Sequence, residues 1–395
     1  MQPSDELMAQ TAGPDPVARA REIADRLAAR ADEIEQTRRI PEPLLTELHE
    51  ARLFRMLLPR SLGGDEMAPG LFLLALEELA GHDGSVAWNI FVANSSALIA
   101  PFLEPETASA IFSDPRTVVA WGPPNAERLA AVPGGYRVSG RWDFASGSRQ
   151  ANWMGAHAHV VEPDGSLRLN DAGRPTVRTV LFPVAEAELL DTWNTIGLRG
   201  TASDSYTLTD VFVPEAYSST REDPSLGREP GPLYTFTMQG LYAVGVAGVG
   251  LGLAGAMLAA FRDLTASKTP RGLTRLADAA AVQAGVARAE ATLGSARAYL
   301  LETLAEIHGR GGGGGPIEVP DRARVRLATT HAIHGAIEVA DYVYKAAGVD
   351  AIFPGSPFKR RFRDMHTLSQ QIQSRDAHYE AVGRVQLGVP PEVFF

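Results

Sequence analysis

Residues 140–153, GRWDFASGSRQANW, decide how this chain is read. They lie between two stretches with strand character, Tyr136-Arg-Val-Ser-Gly before them and residues 153–161 after them. The middle of the stretch, Phe144-Ala145-Ser146, therefore falls at a strand end. There a serine hydroxyl commonly bonds its own backbone.

Working outward, the chain changes its period twice. Upstream, residues 18–39 carry apolar side chains at three- and four-residue spacing. Ile40-Pro-Glu-Pro then opens a second helix with Leu44, Leu45, Leu48 and Leu53 on one face. Pro59 and Gly63-Gly64 break the helical pattern, and further helices are expected over residues 71–80 and 85–99. From residue 117 the pattern is β-rich, with strands expected at 117–121, 136–140, 153–161, 177–182 and 206–213, bounded by turns such as Gly134-Gly135 and Pro163-Asp-Gly165. Beyond Tyr234 it is helical again, apart from a glycine run at 311–315 that reads as a flexible loop. The expectation is an α+β multidomain chain: a flexible tail to residue 16, an N-terminal helical domain over 17–116, a barrel-like or sandwich β-domain over 117–222 and a C-terminal four-helix bundle over 223–395.

Bulk composition narrows the function classes. A chain of 395 residues exceeds what one hydrophobic core serves. A net charge of −10 argues against a nucleic-acid binder, which carries a basic stripe. With no cysteine, disulfides, thiolate zinc sites and a cysteine nucleophile are all excluded. The opening MQPSDELMAQTAGPDP has no basic region followed by an apolar core, so a cytoplasmic enzyme is expected. His157 with His159, and His331 with His334, lack carboxylates at ligand spacing, and no metal site is expected. No GxSxG or phosphate-binding loop is present.

Residues 240–261, GLYAVGVAGVGLGLAGAMLAAF, are uncharged over a length that could cross a bilayer. Their glycine and alanine content fits a helix buried among others better. Gly250, Gly252 and Gly255 formally spell GxGxxG, but inside a helical run, without the preceding strand that a dinucleotide fingerprint needs.

The 140–153 stretch resembles the flavin-binding strand of the acyl-CoA dehydrogenase superfamily. Phe144-Ala145-Ser146 stands where that superfamily has a Trp-Ile-Thr-like triplet, with Asn152-Trp153 at the matching distance. Three further segments are similar: RIPEPLLTELHEARLFRMLLPRSLGG, TWNTIGLRGTASDSYTLTDVFVPE and FRDMHTLSQQ. The resemblance implies helices, a β-domain and helices again, with flavin between the β-domain and the C-terminal helices near a subunit interface, and a homotetramer as the assembly. It also implies that Ser146 presents its N–H and hydroxyl to flavin N5.

Two branches of the superfamily run different chemistry. The dehydrogenases use a Glu base on an acyl thioester and pass hydride to N5. The two-component monooxygenases, such as the 4-hydroxyphenylacetate hydroxylase oxygenase and the dibenzothiophene monooxygenase, take reduced flavin, FMN or FAD, from a separate reductase and form a C4a-hydroperoxyflavin. Here Trp121-Gly-Pro-Pro-Asn125 replaces the Thr-Glu-Pro and Gly-Ser-Asp of dehydrogenases, and no late Glu-Gly-Thr is present. The resemblance therefore implies a flavin-dependent monooxygenase acting on a small aromatic or heterocyclic substrate. An acyl-CoA dehydrogenase and a non-catalytic flavin-binding relative are the alternatives.

The residues implied follow from that reading. His366 would be the proton acceptor or substrate anchor, an imidazole being able to change charge near neutral pH. The family histidine often lies further on, where this chain has Gln370 and Gln371, and a glutamine can orient a substrate but not take its proton. Trp121, Asn125, Phe144, Ala145, Ser146 and Arg199 would hold flavin, Arg199 alternatively pairing with Asp204. Trp88, Phe91, Asn94 and Ser95 would line the substrate pocket.

Overall fold

The computed structural model describes residues 15–170, 173–220, 226–311 and 317–390. Most of the expected tail, the boundary at 222/223 and residues 312–315 of the glycine run lie outside them.

The N-terminal helices begin where capping chemistry dictates. Asp15 accepts the Val17 N–H at 2.8 Å and opens α1 (Pro16–Thr37), whose Ala20, Ile23, Leu27, Ala31 and Ile34 form one buried face. After α2 (Glu42–Glu50) come α3 (Pro69–His82) and α4 (Gly84–Ala97), joined by a single residue, Asp83, which ends one and caps the other. Every residue of α4 is buried, which is why its sequence shows no polar face. The short α5 (Pro105–Phe112) leads into the sheet.

Eight strands follow: β1 (Val119–Trp121), β2 (Arg128–Val132), β3 (Gly135–Ala145), β4 (Trp153–Val161), β5 (Val177–Pro183), β6 (Glu188–Leu190), β7 (Asp204–Pro214) and β8 (Ser218–Ser219). They form one mixed sheet in the order β6-β7-β3-β2-β4-β5-β8, where β1 and β2 run parallel to β4 at opposite ends of it. The sheet curls so that Phe182 of β5 and Tyr206 of β7, far apart in that order, meet. The register between β3 and β7 slips twice, the second time between Trp142 and Ala145, so the end of β3 leaves the regular ladder where Ser146 begins.

The C-terminal helices are α6 (Met238–Ser267), α7 (Ala280–Arg310), α8 (Val319–Ala347), α9 (Lys359–Leu368) and α10 (Ala377–Gln386). The apolar stretch 240–261 lies within α6, packed against α3, α4 and α8. Its glycines make that packing possible. A Cβ on Gly252 would sit 2.2 Å from the Glu77 carbonyl oxygen of α3, and one on Gly245 would sit 2.4 Å from the Phe91 ring of α4. All three glycines of the formal GxGxxG are inside this helix. One continuous apolar core runs from Ala20 to Leu368 and takes in both helical segments, while the sheet has its own core around Tyr136, Trp142 and Tyr206.

Candidate active site

Three elements meet beyond the end of β3. The first is the strand end itself, where Phe144 takes the left-handed conformation (φ +65°) and its carbonyl accepts the Ser146 N–H at 2.9 Å. The second is α4, whose Trp88 Nε1 donates to Ser146 Oγ at 3.2 Å. The third is the turn Leu198–Ser203, in which Leu198 and Ala202, both non-glycine, have φ of +48° and +42°. Side chains rarely accept this conformation, so the turn must be held by its surroundings.

It is held from several sides. Asn89 Nδ2 donates to the Gly200 carbonyl (3.1 Å), the Gly200 N–H to Ser85 Oγ (3.2 Å), and the Gly147 N–H to the Thr201 carbonyl (2.9 Å). Asp364 of α9 accepts the Leu198 N–H at 2.6 Å. Along the turn the hydroxyls of Thr201, Ser203 and Ser146 form a chain, with 2.7 Å and 2.6 Å between successive oxygens.

Asp364 is buried beside a second buried carboxyl, Asp83. Burial and the charge of Asp83 push Asp364 up to about 7, against the pull of the Leu198 N–H and Arg360, and Asp83 is raised as well, mainly by burial.

Two buried polar atoms beside Ser146 have no protein partner: Asn89 Oδ1, an acceptor, and Gln150 Nε2, a donor. Both point toward Gly147, at 3.5 Å and 3.4 Å from where a Cβ there would be. Buried polar atoms are rarely left unpaired, so this adjacent acceptor and donor are candidates to meet a ligand. The edge of a flavin, with alternating carbonyl and N–H groups, matches that donor set.

From Trp88 an aromatic path leads away from Ser146. The Trp88 and Phe91 rings meet edge-on at 4.8 Å, and Phe91 meets Tyr242 of α6 at 4.9 Å. Burial holds the Tyr242 hydroxyl above its usual range, and Gln371 is the polar side chain near enough to oppose that shift. Ser146, Trp88, Phe91 and Tyr242 thus stand in one line of contacts, with Gln371 beside its Tyr242 end.

The other residues singled out in the sequence stand elsewhere. His366 Nε2 is 3.0 Å from Asp341 of α8, with its ring against Phe362. Asn94 spends its amide on the main chain of Leu53, Leu57 and Ile90. Ser95 is buried, its hydroxyl without a protein partner. Trp121 meets His157 edge-on, and His157 in turn bonds Thr179. Asn125 bonds the Arg141 carbonyl and the Glu127 N–H, shaping its own loop. Phe144 is exposed, and Ala145 is buried opposite Asp204.

Arg199 does not pair with Asp204 as the sequence allowed. Asp204 is taken by Arg149 at 2.7 Å, and Arg199 binds Asn194 and the Thr195 carbonyl. It lines a polar surface cavity of about 600 Å³ with Asp32, Glu35, Lys359 and Arg360, which none of Ser146, Trp88, Asn89 and Gln150 borders. Sequence reading missed Asn89, Gln150, Thr201, Ser203, Tyr242 and the Asp83–Asp364 pair. Thr201 and Ser203 do lie in the quoted GLRGTASDSY segment.

Comparison with known proteins identifies the family. Residues 17–106 match the acyl-CoA dehydrogenase N-terminal domain, and residues 244–375 the acyl-CoA dehydrogenase C-terminal domain. The chain is 31% identical to an indole-3-acetate monooxygenase of Pseudomonas putida, over 92% of this chain and 91% of that one. It is 27% identical to the oxygenase component of an FADH(2)-dependent resorcinol hydroxylase of a Rhizobium species, over 95% of each. Among solved structures, XiaF from a Streptomyces species, in complex with FADH2 and glycerol, superposes with a TM-score of 0.89 at 22% identity, covering 100% of this chain and 98% of that one. The chain belongs to the acyl-CoA dehydrogenase superfamily, in its flavin-dependent monooxygenase branch.

Proposed function

We propose that this protein is the oxygenase component of a two-component flavin monooxygenase, supplied with reduced flavin by a separate reductase and acting on a small aromatic or heterocyclic substrate. The observation that carries the reading is the unpaired Asn89 Oδ1 and Gln150 Nε2 beside the buried Ser146 hydroxyl. When bound, reduced flavin activates dioxygen and delivers one oxygen atom to the substrate.

The protein's part is to hold, orient and keep dry. Asn89 Oδ1 would accept from a bound flavin and Gln150 Nε2 would donate to it, while Ser146, fixed by Trp88 and Ser203, would meet its N5. Trp88 and Phe91 wall the substrate space and exclude water. Gln371, beside Tyr242 at the end of the aromatic path, orients the substrate. His366 stands outside this group on Asp341, which favours Gln371 as the late-segment residue that meets the substrate. Substrate orientation, with no protein base, is then the late segment's contribution.

The likeness to monooxygenases favours oxygenation over acyl-thioester dehydrogenation, which needs a carboxylate to remove the α-proton. The C-terminal helices are proposed to associate into a homotetramer, checked by light scattering. The test of function supplies reduced FMN or FAD and oxygen together with indole-3-acetate or a simple phenol. An oxygenated product is expected, with less hydrogen peroxide than in the substrate-free control. Bleaching of bound oxidised flavin by an acyl-CoA, without oxygenated product, would replace this reading with the dehydrogenase.

A further inference from the structure

The hydroxyl chain at the end of β3 has a fixed polarity. The Leu198 carbonyl can only accept, and it receives the Thr201 hydroxyl at 2.8 Å together with Trp193 Nε1 at 2.9 Å. Thr201 has then spent its one proton, so at 2.7 Å its oxygen accepts from Ser203. Ser203 has likewise spent its proton and accepts from Ser146 at 2.6 Å. Trp88 Nε1, which can only donate, points at the same Ser146 oxygen. Ser146 therefore gives its hydroxyl proton to Ser203, and its backbone N–H is committed to Phe144. What remains to it is a lone pair.

The two oxidation states of flavin differ at the atom this lone pair would meet. Reduced flavin carries N5–H, a donor; oxidised flavin has a bare N5, an acceptor. We infer that Thr201 and Ser203 are specificity-determining positioning residues: by fixing the direction of the Ser146 hydroxyl they make the site bind reduced flavin in preference to oxidised flavin. This rests on Ser146 facing N5, as in the function proposed above. Asp364 supports the same device, since it anchors the Leu198 residue on which the chain of protons ends.

The test is the ratio of dissociation constants for oxidised and reduced FMN, measured by aerobic and anaerobic titration of the whole protein in one buffer. Ser203→Ala removes the acceptor for the Ser146 proton, which is then free to turn to a bare N5. Thr201→Val leaves Ser203 no acceptor but Ser146, and so reverses the chain. Both are expected to lower the ratio about fivefold to tenfold, the worth of one hydrogen bond. For a tenfold change the midpoint potential of bound flavin falls by about 30 mV. Ser203→Thr and Thr201→Ser, which keep the hydroxyls, are expected to retain the parent ratio.

Thermal melting checks that each variant is folded, and Thr201→Val, being isosteric, carries the test if Ser203→Ala is not. An unchanged ratio in a folded Thr201→Val protein overturns the inference. So does a parent protein that binds both states equally, while its flavoprotein function stands. A parent that binds neither state of FMN nor either state of FAD overturns the function itself.

Discussion

Two polar groups sit five residues apart in the late segment and face opposite ways. His366, chemically the more versatile, pairs with Asp341 at the partly exposed side of α9. Gln371, just past the helix, reaches the buried Tyr242 and through it Phe91 and Trp88. Residue type alone favours the imidazole as the working group, but placement favours the amide. The contrast extends to the end of β3, where the Ser146 hydroxyl is bonded inward to Ser203 while Asn89 Oδ1 and Gln150 Nε2 have no protein partner.

The largest effect is expected where the unpaired atoms are. Asn89→Leu removes both an acceptor for flavin and the tie to Gly200. Reduced-flavin affinity should fall about tenfold to a hundredfold, corresponding to about 1–3 kcal/mol. Anaerobic fluorescence titration reads it, and an unchanged affinity would remove Asn89 from the site. Gln371→Ala should come next, with product formation slowed about tenfold while flavin binding holds. If His366→Ala slows turnover more than Gln371→Ala does, the assignment of the two residues is reversed.

A third prediction concerns pH. Asp364 faces Asp83, Arg360, Arg361 and Glu35, and burial with the Asp83 charge raises it from 3.8 to about 7. Folding therefore favours its protonated form. The stability this contributes is full below about pH 4 and is lost as pH rises through 7. Asp364→Asn keeps an acceptor for Leu198 and cannot titrate. Its melting temperature relative to the parent should climb between pH 5 and pH 8, and a constant difference would show that Asp364 is ionised throughout.

The smallest effect belongs to His366→Ala. Its partner Asp341 is about one-third exposed, so the lost pair should cost under about 1 kcal/mol in thermal melting. Product formation should stay near the parent rate.

These contrasts also mark what the chain discloses before it folds. The long helices and central strands follow from apolar period and breakers, as in α1 with its Pro16 start. The strands β2, β6 and β8 escaped notice because short segments such as Arg128–Val132, rich in alanine, have little β character of their own and are fixed by their neighbours. At the site, the resemblance pointed to Ser146 and Gln371, whereas Asn89 and Tyr242 look like ordinary helix residues in the sequence. Their importance depends on which way a fully buried helix is turned, and a helix apolar all round carries no period to reveal it.

The close approach of α6 to α4 has a consequence for substrate range. Gly245 lies directly behind Phe91, and a Cβ there would come within 2.4 Å of the ring. Adding one methyl group at this position would force the Phe91 ring, which meets both Trp88 and Tyr242, to shift. Gly245→Ala should therefore shift the size of ring system accepted while leaving every residue that faces the substrate unchanged in kind, so a search for variants of altered selectivity can begin outside the pocket.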